Sequence, residues 1–458
     1  MLGETSGAKR FIENASEALA KEPQRKTLQA ATGRSSAARL KAAEERPDWE
    51  ELRRKARAIK TEAISYLARY LEQLEERVTE HGGIVFWARD AAEASAYIVD
   101  LCKRKEVKTA VKGKSMTSEE INLNHVLEAA GVTPVETDLG EYIVQLANET
   151  PSHIILPAIH KSRQDVSELF TKELGVERTD QVEQLAAVAR KVLRRRFLEA
   201  DMGITGANFG IAETGTIVLV ENEGNIRFST SAPKIHVAIM GIEKVLPRFA
   251  DLSTFLRLLP RSGTGQRLTS YVNFINGPKK PGDDDGPTEF HLVLLDNGRT
   301  KILADPEARE SLFCIRCGAC LNVCPIYTRV GGHSYGWVYP GPIGAMITPQ
   351  YLGLRQAPDL PFASSLCGSC KDACPVKINI PNVLLHLRHQ VIEKTRRSSL
   401  MVKLAAWMIR SPWRYRVAMR LFRWFRKIVP WVPGWTRTRD FPAQASKSLR
   451  KILADESR

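Results

Sequence analysis

The sequence predicts a mostly parallel α/β domain, followed by a cysteine-rich helical module and a basic helical end. Three observations carry this. Strand-like and helix-like runs alternate from about residue 80, which implies a parallel sheet with crossover helices. Seven of the eight cysteines fall between Cys314 and Cys374 at two- and three-residue separations. Between Lys394 and Arg439 there are 13 Lys/Arg and no Asp or Glu.

A chain of 458 residues is too long for one ordinary core. Four segments are expected: a helical N-terminal region (1–79), the α/β domain (80–300), the cysteine module (301–390) and the basic end (391–458). At 43% hydrophobic and 26% charged the composition is that of a folded globular protein. There is no run of about 18 apolar residues to span a membrane. The start, MLGETSGAKRFIENASEAL, has no apolar core of a secretory signal, so a cytoplasmic location is expected. The net charge of +15 is concentrated in the basic end, which leaves only +2 for the rest, so no general polyanion-binding surface is implied.

Residues 10–80 are rich in Ala, Glu, Lys, Arg and Leu, and RRKARAIKTEAISYLARYLEQLEERVTEHGG reads as a helix stopped at Gly82-Gly83. GIVFWA (83–88) then reads as a strand and AAEASAYIVDLCKRK as a helix. VKTAVKG is the next strand, SEEINLNHVLEAAG a helix and TPVETD a further strand. SHIILPAI (152–159) is read as a short buried strand before the helix SRQDVSELFTKEL. Past residue 200 the chain turns β-rich, with Gly215 and the ENEGN turn between strands, and a polar loop leads to a last strand in EFHLVLL.

CIRCGACLNVCP supplies Cys314-x2-Cys317-x2-Cys320-x3-Cys324-Pro325. This is the bacterial iron–sulfur run, in which the fourth cysteine ligates the other cluster of a two-cluster module. Structural zinc sites pair two C-x2–4-C halves, which this order fits poorly. SSLCGSCKDACPV repeats the pattern as Cys367-x2-Cys370-x3-Cys374-Pro375, with Ser364 where a first cysteine would stand. The crossover rule places Cys314, Cys317, Cys320 and Cys374 on one cluster, and Cys324, Cys367 and Cys370 on a second. [4Fe–4S] clusters are expected. The second, one thiolate short, is a three-iron cluster, a cluster with a non-Cys ligand such as Ser364, Ser365 or solvent, or an open or vestigial site. The intervening stretch, rich in Gly, Pro and aromatics, contains His333, read either as a turn residue or as a tuning group. Cys102 falls on the apolar phase of its helix and reads as a buried, inert thiol.

KGKS (112–115) is not a P-loop, because position 108 is Lys108, and GITGANFG does not match G-x-G-x-x-G. Lys112, Lys114, His160 and Lys161 lie just past predicted strand ends, where α/β proteins bind ligands, and are candidates for an anion site or for solvated loops. Glu213, in AETGT, reads as a turn carboxylate.

Along SPWRYRVAMRLFRWFRKIVPWVPGW, Trp413, Val417, Leu421, Trp424 and Ile428 project onto one helix face, and Arg416, Arg420, Arg423 and Lys427 onto another. Five of the eight tryptophans lie between Trp407 and Trp435. The pattern suits a helix on an anionic membrane surface or one docked on protein. Nucleic acid is not expected, as no binding module accompanies the basic run.

The stretches ETDLGEYIVQL, AETGTIVLVENEGN, SLFCIRCGACLNVCPIY, GPIGAMITP and LCGSCKDACPVKINIP resemble the lactate-utilisation protein B family of bacterial iron–sulfur proteins. The resemblance spans nearly the whole chain. It implies an α/β LUD domain, similar to sugar isomerases and CoA transferases, fused to a two-cluster ferredoxin-type module. It further implies the electron-carrying member of a system oxidising L-lactate to pyruvate. Its partners would be a Cys-rich heterodisulfide-reductase-like protein and a small LUD protein; from its own pattern, the segment 400–435 suits either peripheral contact at the inner membrane face or docking on protein. Other readings are a subunit for another 2-hydroxy acid or glycerol phosphate, or a cluster-based redox sensor. Family members share the three-cysteine second half-motif. No catalytic residue is assigned.

Overall fold

The computed structural model describes Ala8, residues 10–395 and 400–428, Leu453 and Asp455. Among the described residues there are ten strands: β1 (Ile84–Ala88), β2 (Thr109–Lys112), β3 (Thr133–Glu136), β4 (Met202–Gly206), β5 (Phe209–Ile211), β6 (Thr216–Glu221), β7 (Ile235–Gly241), β8 (Val245–Leu246), β9 (Tyr271–Ile275) and β10 (Glu289–Leu295). Six of them form a fully parallel sheet in the order β1-β10-β7-β4-β2-β3. The central strands β7 and β10 are buried almost throughout, so their sequences are continuous apolar runs instead of alternating ones. Gly203 is required in β4, because a Cβ there would meet Ser229 O of the covering helix Asn225–Ser231 at 1.7 Å.

The second sheet, β8-β5-β6-β9, is mixed; β5–β6 and β6–β9 are antiparallel and β5–β8 is parallel. The ENEGN turn does not simply join strands. Gly224, at φ +78°, starts the helix Asn225–Ser231, whose first amides are taken by the Glu221 carboxylate.

Residues 152–159 correct the expected strand: they form turns. His153 Nδ1 accepts from both Ile155 N and Leu156 N, and Ser152 N donates to Pro157 O. A side chain that claims two consecutive amides leaves the backbone nothing with which to join a ladder. The long N-terminal helix is also broken, at Tyr66, into Trp49–Ser65 and Leu67–Glu80. The helix read in SEEINLNHVLEAAG divides at Asn122, which is left-handed at φ 52°.

One apolar cluster runs without interruption from Phe11 and the N-terminal helices through Phe209, Met240 and Leu294 of the sheets to Cys317, Cys320, Tyr339 and Val383. A buried polar network ties the same parts together. The Arg299 guanidinium is paired with Glu120 and Glu243, Tyr339 donates to Glu120 at 2.8 Å, and Arg316 reaches Glu243 at 3.4 Å. The cysteine region is therefore packed on the α/β domain within one compact unit, Met1–Val391.

The second unit, from Ile392, contains the helices Leu400–Ile409 and Pro412–Ile428. Trp407, Trp413 and Leu421 are exposed, and Arg414 lies over the Trp407 ring at 4.3 Å. Trp431 and Trp435, and the side chains of Arg423, Trp424, Lys427 and Ile428, fall outside the described residues. Among the described residues no helix is long and apolar enough to cross a membrane.

Candidate metal centre

The two cysteine runs are built as one backbone motif used twice. Arg316 (φ 60°) and Gly318 (φ 72°) flank Cys317 with left-handed conformations; Leu366 (φ 57°) and Gly368 (φ 88°) do the same for Cys367, fifty positions later. Each is followed by a short helix, Ala319–Asn322 or Ser369–Ala373, that carries the next cysteine, Cys320 or Cys370. Left-handed residues on both sides of a cysteine turn successive backbone N–H groups inward, a geometry suited to an anion or a sulfide-rich cluster.

The fold sorts the seven sulfurs into two groups. Cys314, Cys317, Cys320 and Cys374 line one narrow cavity, closed by Ile154, Ile343 and Ile378. Cys324, Cys367 and Cys370 form the other, each within electrostatic reach of another member. The charge on Cys370 also reaches Cys320, so the groups are neighbours. Among the described residues no three cysteine sulfurs lie within 4.8 Å of one another. A tetrahedral zinc with bonds of ≈ 2.3 Å needs them closer than that.

The donor set fits iron–sulfur ligation. Amides point at the sulfurs: Arg316 N to Cys314 Sγ at 3.4 Å, Ile378 N to Cys374 Sγ at 3.4 Å, and Tyr327 N to Cys324 Sγ at 3.5 Å. Such bonds stabilise thiolate and tune potential. Burial works the other way, pushing Cys374 up to about 11 and Cys370 up to about 12 and raising Cys317 and Cys320 as well. These thiols need a metal to become thiolates.

The first group is ringed by cations. Arg53, from the helix Trp49–Ser65, donates to Cys374 O and Asp372 O at 2.8 Å, and Arg39 donates to Ala373 O at 3.1 Å. Lys60 and Lys244 are buried, and their charges reach Cys314, as does that of Arg316. Sequence reading missed Arg39, Arg53 and Lys60. Each lies more than 250 residues before Cys314, on helices whose local pattern carries no sign of a metal site.

The second group is more open. Cys324 and Cys370 are buried, but Cys367 is exposed, and its thiol is held below the ordinary cysteine range by the Ser369 hydroxyl. Leu366 N donates to Ser364 Oγ at 3.1 Å, the bond that Arg316 N makes to Cys314 Sγ in the first run. Ser364 therefore stands where the first run has its first ligand. Arg388 holds Ser364 O at 2.9 Å.

The other candidates divide. Lys112 is buried and paired with Glu136 at 2.6 Å, so it is not available to an anion. Lys114 lines a large cavity beside the sheet. His160 and Lys161 both engage Glu149. His333 bonds Thr150 O at 2.7 Å and stacks edge-on against His160, and so fastens the insert to the α/β domain. Glu213 accepts from Phe249 N in a turn. Cys102 is buried, and burial raises its thiol to about 11.

Comparison with known proteins bears on this geometry. Residues 71–295 match the LUD domain family, 310–378 the 4Fe-4S dicluster domain, and 379–458 the C-terminal family of lactate utilisation protein B. The chain is 45% identical to lactate utilization protein B of Bacillus licheniformis and of Bacillus subtilis, over 98% of this chain and 97% of each relative. It belongs to the lactate utilization protein B family. The chain is also 42% identical to an uncharacterized electron transport protein, YkgF, of Escherichia coli, over 93% of the chain and 92% of the relative. The dicluster match covers all seven grouped cysteines and Ser364.

Proposed function

We propose that the protein is the iron–sulfur electron carrier of L-lactate utilisation, accepting electrons from the oxidation of lactate to pyruvate within a multi-component assembly. The observation that carries the reading is the sorting of seven cysteines into adjacent groups of four and three, lined by inward amides. Cys314, Cys317, Cys320 and Cys374 would hold the first [4Fe–4S] cluster. Cys324, Cys367 and Cys370 would hold the second, with Ser364 Oγ as its fourth ligand. When bound, such clusters supply one-electron transfer at potentials set by charge, hydrogen bonds and exposure.

The chain's own residues set those terms. Arg39, Arg53 and Arg316 place positive charge around the first group, which favours its reduced state, while burial lowers Lys60 to about 7 and Lys244 to about 8. The exposed Cys367 corner gives the second group an edge to solvent or to a partner. That asymmetry defines an inner and an outer site. The expected partners are a Cys-rich heterodisulfide-reductase-like protein and a small LUD protein. The basic, tryptophan-bearing helices after Ile392 are suited to peripheral contact with an anionic membrane on the cytoplasmic side.

The test is anaerobic: the purified protein and its partner subunits are mixed with L-lactate, and the cluster absorption is followed. Bleaching that requires both lactate and the partners is expected. Clusters that stay oxidised with every component present would rule out the relay.

A further inference from the structure

Next to the first cysteine group lies a cavity of ≈ 320 Å³, the size of a small-molecule site. It opens past the carboxyl ends of the parallel strands, where open α/β sheets place their ligands. Lys114 follows β2, Asp138 follows β3, Asn208 follows β4 and Lys244 follows β7. The wall opposite the sheet includes Arg316, from the loop between Cys314 and Cys317.

The cavity has cations without partners. Lys244 is only 7% exposed and Lys114 is half-buried, and among the described residues neither ammonium donates a hydrogen bond to protein. Arg316 spends one amino group on Glu243 and Tyr351, while its Nη1 is buried with no partner. A buried donor left unpaired is costly, more so when charged, so the Arg316 Nη1 facing one space with Lys244 and Lys114 points to an anion. Asp138 and Glu223 also border the cavity, and burial beside Asp138 raises the Glu223 carboxyl to about 7. A simple anion would be repelled by this acidic pair. An anion that also carries a hydroxyl would find acceptors there.

We propose that this cavity binds a small hydroxycarboxylate, its carboxylate on Lys244, Arg316 and Lys114 and its hydroxyl on Asp138 and Glu223. The bound anion lies against the loop that ligates the first cluster, and its charge acts on that cluster through Arg316. The choice of lactate as the probe rests on the lactate reading above; the site does not.

The test is calorimetry on the anaerobically purified full-length protein with L-lactate and with propionate, which lacks the hydroxyl, alongside EPR of the reduced clusters. L-Lactate is expected to bind at least tenfold more tightly than propionate and to shift the first cluster's signal. In Lys114→Gln the affinity should fall about tenfold, with iron content per chain equal to the parent's. No binding of lactate at tens of millimolar, equal binding of propionate, or full affinity in both Lys114→Gln and Lys244→Gln would overturn the proposal. Clusters reduced by lactate plus partners, in a protein that binds no lactate alone, would overturn this site and leave the relay standing. Binding without reduction would do the reverse.

Discussion

In the first cysteine run Arg316 N donates to Cys314 Sγ, and in the second, fifty residues on, Leu366 N donates to Ser364 Oγ. The same backbone is thus dressed in two ways. Around the first, four cysteines face one cavity, with Arg39, Arg53, Lys60 and Lys244 buried beside them. Around the second, three cysteines and a serine stand at a more open place, with Cys367 exposed. A duplicated ligand loop sets how many metal-binding corners exist. Whether a site is an inner, charge-stabilised one or an outer, accessible one is decided by what the rest of the chain packs on it.

The largest contrast is expected from removing one thiolate in each run. Cys320→Ala should cost about four irons per chain. It should also destabilise the whole compact unit, because Cys320 lies in the core cluster shared with the sheets. Cys367→Ala, at an exposed position, should disturb only the second cluster and leave the thermal midpoint close to the parent's. Iron analysis with thermal melts measures both. Equal melting losses would erase the distinction between inner and outer sites.

Arg53→Ala removes the hydrogen bonds to Cys374 O and Asp372 O together with a buried charge. A stability loss of about 1–3 kcal/mol is expected in denaturant titration. Potentiometric EPR should show the first cluster harder to reduce and the second unmoved. A shift confined to the second cluster would invert the assignment of the cation shell.

Ser364 sharpens the comparison at a single atom. Ser364→Cys should change the second cluster's EPR signal and leave the first's unchanged, and Ser364→Ala should favour a three-iron form of the second. Identical spectra in all three proteins would mean that the hydroxyl is only a turn acceptor.

A smaller effect is expected from the metal-free protein. There Cys367 should be alkylated by iodoacetamide well before Cys374, because the first thiol is exposed and lowered by the Ser369 hydroxyl while burial raises the second to about 11. Mass spectrometry of timed samples reads the order.

The parallel sheet and the presence of a 4Fe-4S dicluster domain were legible because both rest on short-range patterns. The short, mostly apolar runs at β7 and β10 fit strands buried on both faces, and the C-x2-C-x2-C-x3-C-P spacing limits which sulfurs can meet. SHIILPAI misled because its apolar run is overruled by one side chain, His153, which captures two amides. The cation shell had no local signature. Arg39 and Arg53 sit on charged, Ala-rich helices with no metal-site pattern until the fold brings them to Ala373 and Cys374. Of the four strand-end candidates, only Lys114 proved to face the large cavity. Lys112 is consumed by Glu136, a pairing across two parallel strands that spacing does not reveal.

The most direct measurement is low-temperature EPR with iron and acid-labile sulfide counts on anaerobically purified protein. Two adjacent clusters predict about seven to eight irons per chain, matching sulfide, and a reduced spectrum broadened by interaction between the two centres. Zinc without sulfide, or a single isolated four-iron centre, would contradict the account.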